Sequence, residues 1–193
     1  MTVECFEDPD GTEEEILAAT YRSLVKHGYA DLTVKRIGDE LGKSPSLVYH
    51  HFENKDALVL ACLEFMLENH AKIMTDPPLE EDDHYLEEFL AWTETAFDNE
   101  DMAEFLALLI DLRSQAIHND SYRNHFTESD PLFRDHFAEV LRVKQEEVSV
   151  EDQEAAAELL LTLLLGIMVR GSTTSGSDWG PKLRAGIEEY LFD

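Results

Sequence analysis

The sequence has few features that are typical of disulfide-linked, membrane-anchored or secreted proteins. Its two cysteines, Cys5 and Cys62, are far apart and show no zinc-like pairing, so neither a disulfide framework nor a zinc site is predicted. The longest apolar run, residues 159–169, is interrupted by Thr162 and Gly166 and is shorter than the roughly 20 residues that cross a bilayer. The acidic, polar start does not resemble a signal peptide. We therefore expect a protein of the reducing cytoplasm without a membrane anchor.

Positive charge is also scarce, since 15 Lys and Arg face 42 Asp and Glu for a net charge of −27. Taken alone, this balance argues against nucleic acid, because DNA-binding domains usually carry a positive footprint. The distribution is uneven: residues 20–56 contain six basic and five acidic side chains, whereas residues 57–193 contain nine and 30. Acidic residues spread along a whole chain resemble proteins of salt-accumulating halophiles, where molar salt shortens the Debye length to about 3 Å. An ordinary acidic mesophile protein is the alternative.

Helical periodicity runs through the chain, and strand signals are absent. The length of 193 residues and a hydrophobic content of 44% allow one small unit plus one core-forming domain. Pro77 and Pro78 break the pattern, and residues 119–130 are predicted to form a loop. The fold class is predicted to be all-α, with helices over residues 12–27, 33–41, 44–52, 54–75, 82–97, 101–117, 131–147, 151–170 and 179–191.

Residues 32–58 hold the densest set of local signals. Thr33 can cap a helix that Gly42 ends, because its hydroxyl can accept a backbone N–H that the first turn leaves unpaired. Ser44 can then cap a second helix with Pro45 at its first position, where the missing N–H costs nothing. Asn54 starts a third helix. Two helices joined by a short glycine turn predict a helix-turn-helix.

The residue pattern of this segment resembles the amino-terminal domain of the TetR family of transcriptional regulators. The resemblance is strong over about residues 12–70. Two positions depart from the usual family pattern: Gly38 stands where the family has Ala, and Val48 where it has Leu. Neither change removes a polar contact. The matching places are Thr33, Ile37, Leu41 with Gly42, Tyr49-His50-His51-Phe52, and Asn54-Lys55-Asp56-Ala57-Leu58.

The resemblance implies a three-helix helix-turn-helix domain at residues 1–56, followed by an all-helical domain for effector binding and dimerisation at residues 57–193. It also implies a homodimeric repressor that blocks a pseudo-palindromic operator and responds to an unknown small molecule, with activation of transcription as the alternative. By resemblance, residues 151–170 and 179–191 form the dimer interface. A wholly intramolecular core role for the first of these helices is the alternative.

Candidate DNA contacts follow from the same match. Ser46 and Leu47 are expected to face base edges, and Lys35 is expected to reach a base or a phosphate. Tyr49 occupies the place of a phosphate-contacting tyrosine. Capping alone, ring packing, solvation or local ion pairing are the simpler explanations of these positions. The full predicted set is Thr33, Lys35, Ser44, Ser46, Leu47, Tyr49, His50, His51 and Lys55.

The effector site is much less specific. Aromatic side chains could line an apolar pocket, although most are more simply explained as core. Arg113 falls on an apolar stripe, where a charge needs a partner. An anionic effector or, more simply, an acidic side chain would serve. The candidate residues are Phe65, Phe89, Trp92, Phe105, Arg113 and Phe137.

Enzymatic interpretations fail on context. The Gly42-Lys43-Ser44 triplet lacks the earlier glycine and the strand of a phosphate-binding loop, and residues 171–176 do not form a nucleophile elbow. No His-Glu-x-x-His pair occurs, and only His118 and His125 with nearby acids suggest a metal. We predict no enzyme activity and no cofactor. The competing function is an all-helical protein that binds a small molecule or a partner but not DNA.

Overall fold

The computed structural model describes residues 6–75, 85–144, 150–176 and 178–191. Within these residues the chain forms nine α-helices and no strand, which confirms the all-α prediction. The predicted break at Pro77 and Pro78, the helix start at Asp82 and the helix end at Glu147 lie outside the described residues, as does Cys5. The helices are α1 (Thr12–Asp31), α2 (Val34–Leu41), α3 (Pro45–His51), α4 (Lys55–Thr75), α5 (Tyr85–Thr95), α6 (Glu100–Gln115), α7 (Asp120–Lys144), α8 (Val150–Thr173) and α9 (Gly180–Leu191).

The packing divides the chain into two compact units. The head unit consists of Met1–Asp76 and Asp111–Thr127, and the tail unit consists of Pro77–Ile110 and Glu128–Asp193. This division describes packing. The functional boundary predicted between residues 56 and 57 stays a prediction.

In the head unit, α1 packs against α2 and α4, and α3 packs against α2. Its interior contains Ile16, Leu24, Ile37 and Leu58, each at most 2% exposed. Burial of such side chains contributes about 1.5–3 kcal/mol each. These contacts stabilise the two short helices α2 and α3, which in isolation would be only marginally stable in water.

The first helix is predicted to end at residue 27, and the next residue, Gly28, does leave the helical conformation, at φ 70° and ψ 167°. The chain resumes a helical path and α1 extends to Asp31. A left-handed φ is a conformation that glycine adopts without strain. The interruption therefore gives α1 a short final turn that carries Tyr29.

The tail unit has its own hydrophobic core, in which α5 packs against α9. Phe89 and Phe133 pack on this core from its half-buried rim. The core members come from four helices and are Leu90, Phe137, Val140, Leu141, Ala157, Leu160, Leu161 and Ile187.

The loop predicted over residues 119–130 is wrong, as is the helix start at Pro131. Asn119 caps α7 by accepting the Ser121 N–H at 3.0 Å, and the helix continues through Pro131 to Lys144. An interior proline costs about 3 kcal/mol because it removes one backbone hydrogen bond. Burial of side chains before and after Pro131 outweighs this cost, since Tyr122 is 0% and Leu141 1% exposed.

The helix α8 extends well beyond the apolar run of residues 159–169. Among the described residues, the stretch Gln153–Thr173 has the length and composition to cross a membrane, with a mean hydropathy of 1.6. The run of residues 159–169 therefore underestimates the length of this apolar helix. Core helices of soluble proteins pass the same test. Much of this helix is uncovered in a single chain, because Leu159 is 51% and Val169 46% exposed.

Candidate nucleic-acid interface

The helix-turn-helix forms as the local signals predict. Thr33 Oγ1 accepts the Arg36 N–H at 3.2 Å, and Ser44 Oγ accepts the Ser46 N–H at 3.2 Å. Gly42 ends α2 at φ 70°, a left-handed conformation that closes the turn. The two capping hydroxyls accept a hydrogen bond, so their own O–H groups stay able to donate to a phosphate oxygen.

The helix α3 turns one side chain inward and leaves most others in solvent. Val48 is 1% exposed and anchors the helix, whereas Tyr49 is 60% exposed. Ser46, His50 and His51 are also exposed, and Leu47 is half-buried. An exposed tyrosine amid polar residues presents a hydroxyl donor and an apolar ring on the same surface. The predicted contact residues of α3 therefore share one accessible surface.

Most cations near this surface are engaged within the protein. Arg22 pairs with Glu40, Lys43 with Glu15, and Arg36 donates to the Asp31 carbonyl oxygen. The Lys35 side chain is exposed and makes no hydrogen bond or ion pair within the part of the chain that the structure describes. Lys35 is thus the cation of α2 most available to a phosphate.

Lys55 occupies a different environment from the other predicted contacts. It is half-buried, its Nζ donates to the Tyr29 carbonyl oxygen at 3.1 Å, and it stands 3.9 Å from the centroid of the Tyr29 ring. From the sequence, a local pair with Glu53 or Asp56 is the alternative to a DNA contact. The partner is instead a residue 26 positions earlier.

Tyr29 lies in a set of polar contacts that sequence reasoning does not predict, here called the Tyr29 junction. Its hydroxyl donates to Asp56 Oδ1 at 2.5 Å, and Asn119 Nδ2 donates to Asp56 Oδ2 at 3.3 Å. The Tyr29 N–H donates to Asp111 Oδ2 at 3.1 Å. No local pattern reveals contacts between residues so far apart in sequence. The members are Tyr29, Lys55, Asp56, Asp111, Asn119 and Tyr122.

Burial perturbs both tyrosines of this junction. The Tyr122 ring meets the Tyr29 ring edge-on, with centroids 5.8 Å apart, and Tyr122 is 0% exposed. Burial, reinforced by Tyr29, raises the pKa of Tyr122 far above its ordinary value. Burial and the hydrogen bond to Asp56 also raise the pKa of Tyr29. Both hydroxyls therefore stay protonated in the folded protein at neutral pH.

The raised pKa of Tyr122 predicts a loss of stability in alkali. Above pH ~10 the unfolded chain releases the Tyr122 proton while the folded chain retains it, so the free energy of unfolding falls by up to about 1.4 kcal/mol per pH unit. Urea unfolding between about pH 9 and 11 measures this slope. Tyr122→Phe should flatten it, whereas Tyr49→Phe, at an exposed site, should not. Equal slopes in the two variants would contradict the assignment.

Gly38 lets α2 approach the start of α3 closely. A Cβ at this position would lie 3.0 Å from the Lys43 carbonyl oxygen and 3.1 Å from Pro45 Cγ. We expect Gly38→Ala to lower the free energy of unfolding by roughly 1 kcal/mol through overpacking. An alanine in an open helix would instead raise it by about that amount.

Thermal melts of Gly38→Ala, alone and combined with Pro45→Ala, test this contact. Removal of the proline ring should recover part of the loss. A single variant more stable than the wild type would show that the family's usual alanine fits here after all.

The six candidate effector residues are divided between the two units. In the tail unit, Phe89 meets Trp92 at 6.1 Å and Phe137 at 5.1 Å between ring centroids, and Phe105 is 9% exposed. Phe65 belongs to the head unit, where it stacks on Phe6 at 5.3 Å. The structure thus brings together Phe89, Trp92 and Phe137.

Arg113 also belongs to the head unit. Its guanidinium carbon stands 4.8 Å from the centroid of the Phe126 ring. The side chain is half-buried rather than enclosed. The ring face and the solvent both contribute to accommodating the charge.

Two capped helices joined at a left-handed glycine, with an exposed polar surface on the second, define an all-α helix-turn-helix protein. Residues 16–62 match the family model of bacterial regulatory proteins, tetR family. A solved TetR transcription regulator from Haloarcula marismortui is 30% identical, with a TM-score of 0.77 over 93% of this chain and 95% of that one. The chain belongs to the TetR family of transcriptional regulators.

Two of the curated relatives match short stretches of the chain. The HTH-type transcriptional repressor AcnR of Corynebacterium glutamicum is 38% identical over 61 residues, which make up 32% of this chain and 32% of AcnR. The HTH-type transcriptional regulator BetI of Brucella anthropi is 40% identical over 53 residues, 28% of this chain and 27% of BetI. The chain thus matches about a third or less of the length of these two relatives.

Proposed function

We propose that the chain is a cytoplasmic, sequence-specific DNA-binding regulator that represses transcription as a homodimer and responds to a small molecule. The observation that carries the proposal is the exposed polar surface of α3, seated on a buried Val48 and capped by Ser44. Family membership and the repressor AcnR among the relatives support the assignment. The domain boundary at residue 56 is proposed on the same basis.

The proposed contacts divide by their chemistry. Ser46 and Leu47 read base edges, the latter through a thymine methyl group. Tyr49 and Lys35 contact phosphates, which position the helix without reading sequence. Further backbone contacts come from Thr33, Ser44, His50, His51 and Lys55, and Lys55 must leave Tyr29 to make one.

The exposed face of α8 supports the dimer. Ala155, Leu159, Thr162, Gly166 and Val169 are all exposed and recur at alternating spacings of four and three residues. That spacing places them in one seam along a helix, as in helices that pack against another helix. We propose that this seam, with α9, pairs with its copy in a second subunit. One recognition helix reads few base pairs, so two are held about 34 Å apart on a pseudo-palindrome.

The charge of the tail unit bears on the effector. Its two segments, residues 77–110 and 128–193, contain 25 acidic and six basic residues, a net charge of −19. Such a field disfavours an anionic ligand. We propose a neutral or cationic effector bound against the aromatic rim near Phe89, Trp92 and Phe137. The acidic composition and the Haloarcula relative support a protein adapted to high salt.

The test is DNA binding by the purified protein at several potassium chloride concentrations. Fluorescence anisotropy of labelled duplex from its own promoter region should reveal saturable binding. Tyr49→Phe and Lys35→Ala should each weaken binding about tenfold, the cost of a hydrogen bond to a charged group. Lys35→Ala should also reduce the salt slope by about 1, because the variant neutralises one phosphate fewer.

A matched control separates position from net charge. Arg142→Ala removes one positive charge from an exposed site on α7 in the tail unit and should leave affinity and salt slope unchanged. Failure to bind any upstream duplex would favour the competing function, an all-helical protein that binds only a small molecule or a partner.

A further inference from the structure

The Tyr29 junction joins the start of α7 to the residues that flank α2 and α3, the two helices here called the reading head. Asp56, in the first turn of α4, accepts one hydrogen bond from Tyr29 at 2.5 Å and one from Asn119 at 3.3 Å. Asn119 is the residue that caps α7. A single carboxylate thus ties the end of α1, the start of α4 and the start of α7 together.

The backbone and the side chain of Tyr29 both make contacts within the junction. Its N–H donates to Asp111, its carbonyl oxygen accepts from Lys55, and its ring meets Tyr122. Leu32 and the cap residue Thr33 follow three and four residues later along the chain. The position of Tyr29 therefore constrains where α2 begins, and with it the position of α3.

Two features leave this arrangement open to change. The Tyr122 hydroxyl is buried, and its contact with Tyr29 influences the pKa of both tyrosines but falls short of hydrogen-bond geometry. A buried hydroxyl with so poor a contact favours any rearrangement that improves its hydrogen bond. Pro131 lies in α7 and cannot donate a backbone hydrogen bond to Thr127, the last head-unit residue of that helix. The helix therefore lacks a backbone bond where it passes from one unit to the other.

We propose that the Tyr29 junction is a latch through which α7 positions the reading head, with Asn119 and Tyr29 as positioning residues that touch neither DNA nor effector. The inference rests on the proposed function. A change in the tail unit reaches Asn119 along α7 and alters the hold on Asp56 and Tyr29. The coupling is reciprocal, so DNA bound by the head must also change the tail.

The two tryptophans report on this coupling, because Trp92 and Trp179 both lie in the tail unit. Titration of the wild-type protein with the labelled promoter duplex should change tryptophan emission at the same midpoint as DNA anisotropy. In Asn119→Asp the carboxylate keeps the capping oxygen of α7 but faces Asp56 without a donor. This variant should bind the duplex within about threefold of wild type and lose the emission change.

Two further variants sharpen the result. Tyr29→Phe keeps the ring and both backbone contacts, removes only the hydroxyl donor, and should weaken the emission change as well. Asn99→Asp is the matched control, because Asn99 caps α6 through the Met102 N–H at 3.0 Å in the same way. It should keep both binding and emission change. Melting temperatures identify any variant that has lost its fold.

The outcomes separate the latch from the function it serves. Binding with no emission change in the wild type, or an unchanged response in both junction variants, would overturn the latch alone. If no upstream duplex binds at all, the proposed function fails and the latch fails with it.

Discussion

Leu159→Glu should convert the proposed dimer into a monomer of 22.0 kDa in sedimentation experiments. Leu159 is 51% exposed in a single chain, so the new carboxylate stays solvated there and costs the subunit little. In a paired interface the same group would be buried without a partner, at a cost of several kcal/mol. A two-fold interface repeats the defect in both subunits. We expect operator affinity to fall about 100-fold or more, because each half-site then binds separately.

Leu132→Glu is the matched control for this experiment. Leu132 is 49% exposed and lies on α7, outside the proposed seam. The same substitution there should leave both the mass and the operator affinity unchanged. A dimer that survives Leu159→Glu would place the interface elsewhere and return α8 to an intramolecular role.

Gly171→Ala should destabilise the tail unit strongly, although alanine usually favours a helix. A Cβ at position 171 of α8 would overlap with the ring of Phe97. Overpacking of this kind costs about 1–3 kcal/mol, because the ring or the helix has to move. In a chain of this size the melting temperature should fall by roughly 3–9 °C.

Gly166→Ala on the same helix provides the opposite expectation. Nothing lies within 4 Å of a Cβ built at Gly166, so alanine should stabilise the subunit by about 0.5–1 kcal/mol. Both substitutions are best compared in the monomeric Leu159→Glu background, where subunit pairing does not contribute. Equal melting temperatures for the two would show that Phe97 moves aside without cost.

The reading head was predictable because its signals are local. A capping hydroxyl at Thr33 or Ser44 acts on a backbone N–H only two or three residues away, and Gly42 ends α2 through its own backbone freedom. Such interactions depend on adjacent residues and survive in any tertiary context. The structure accordingly confirms those caps and the start of α4 at Asn54, whose Oδ1 accepts the Ala57 N–H at 2.9 Å.

The prediction around Pro131 failed for the opposite reason. Proline is a local signal for a helix start, but burial of Tyr122 before it and Leu141 after it favours one continuous helix. Tertiary packing of two faces outweighs one missing hydrogen bond. Lys55 shows the same limit, because its partner is the carbonyl of Tyr29 on another helix.

The sequence by itself determined the helical class, the capped turn between α2 and α3, the family and the acidic surface, since each depends on residue type and short-range spacing. The tertiary structure alone decided which side chains are uncovered on α8 and which distant residues meet at Tyr29. It also decided that Gly38 and Gly171 lie close against neighbouring atoms, so that an added methyl group requires those neighbours to shift. These properties arise from contacts between residues far apart along the chain, which depend on the path of the folded backbone.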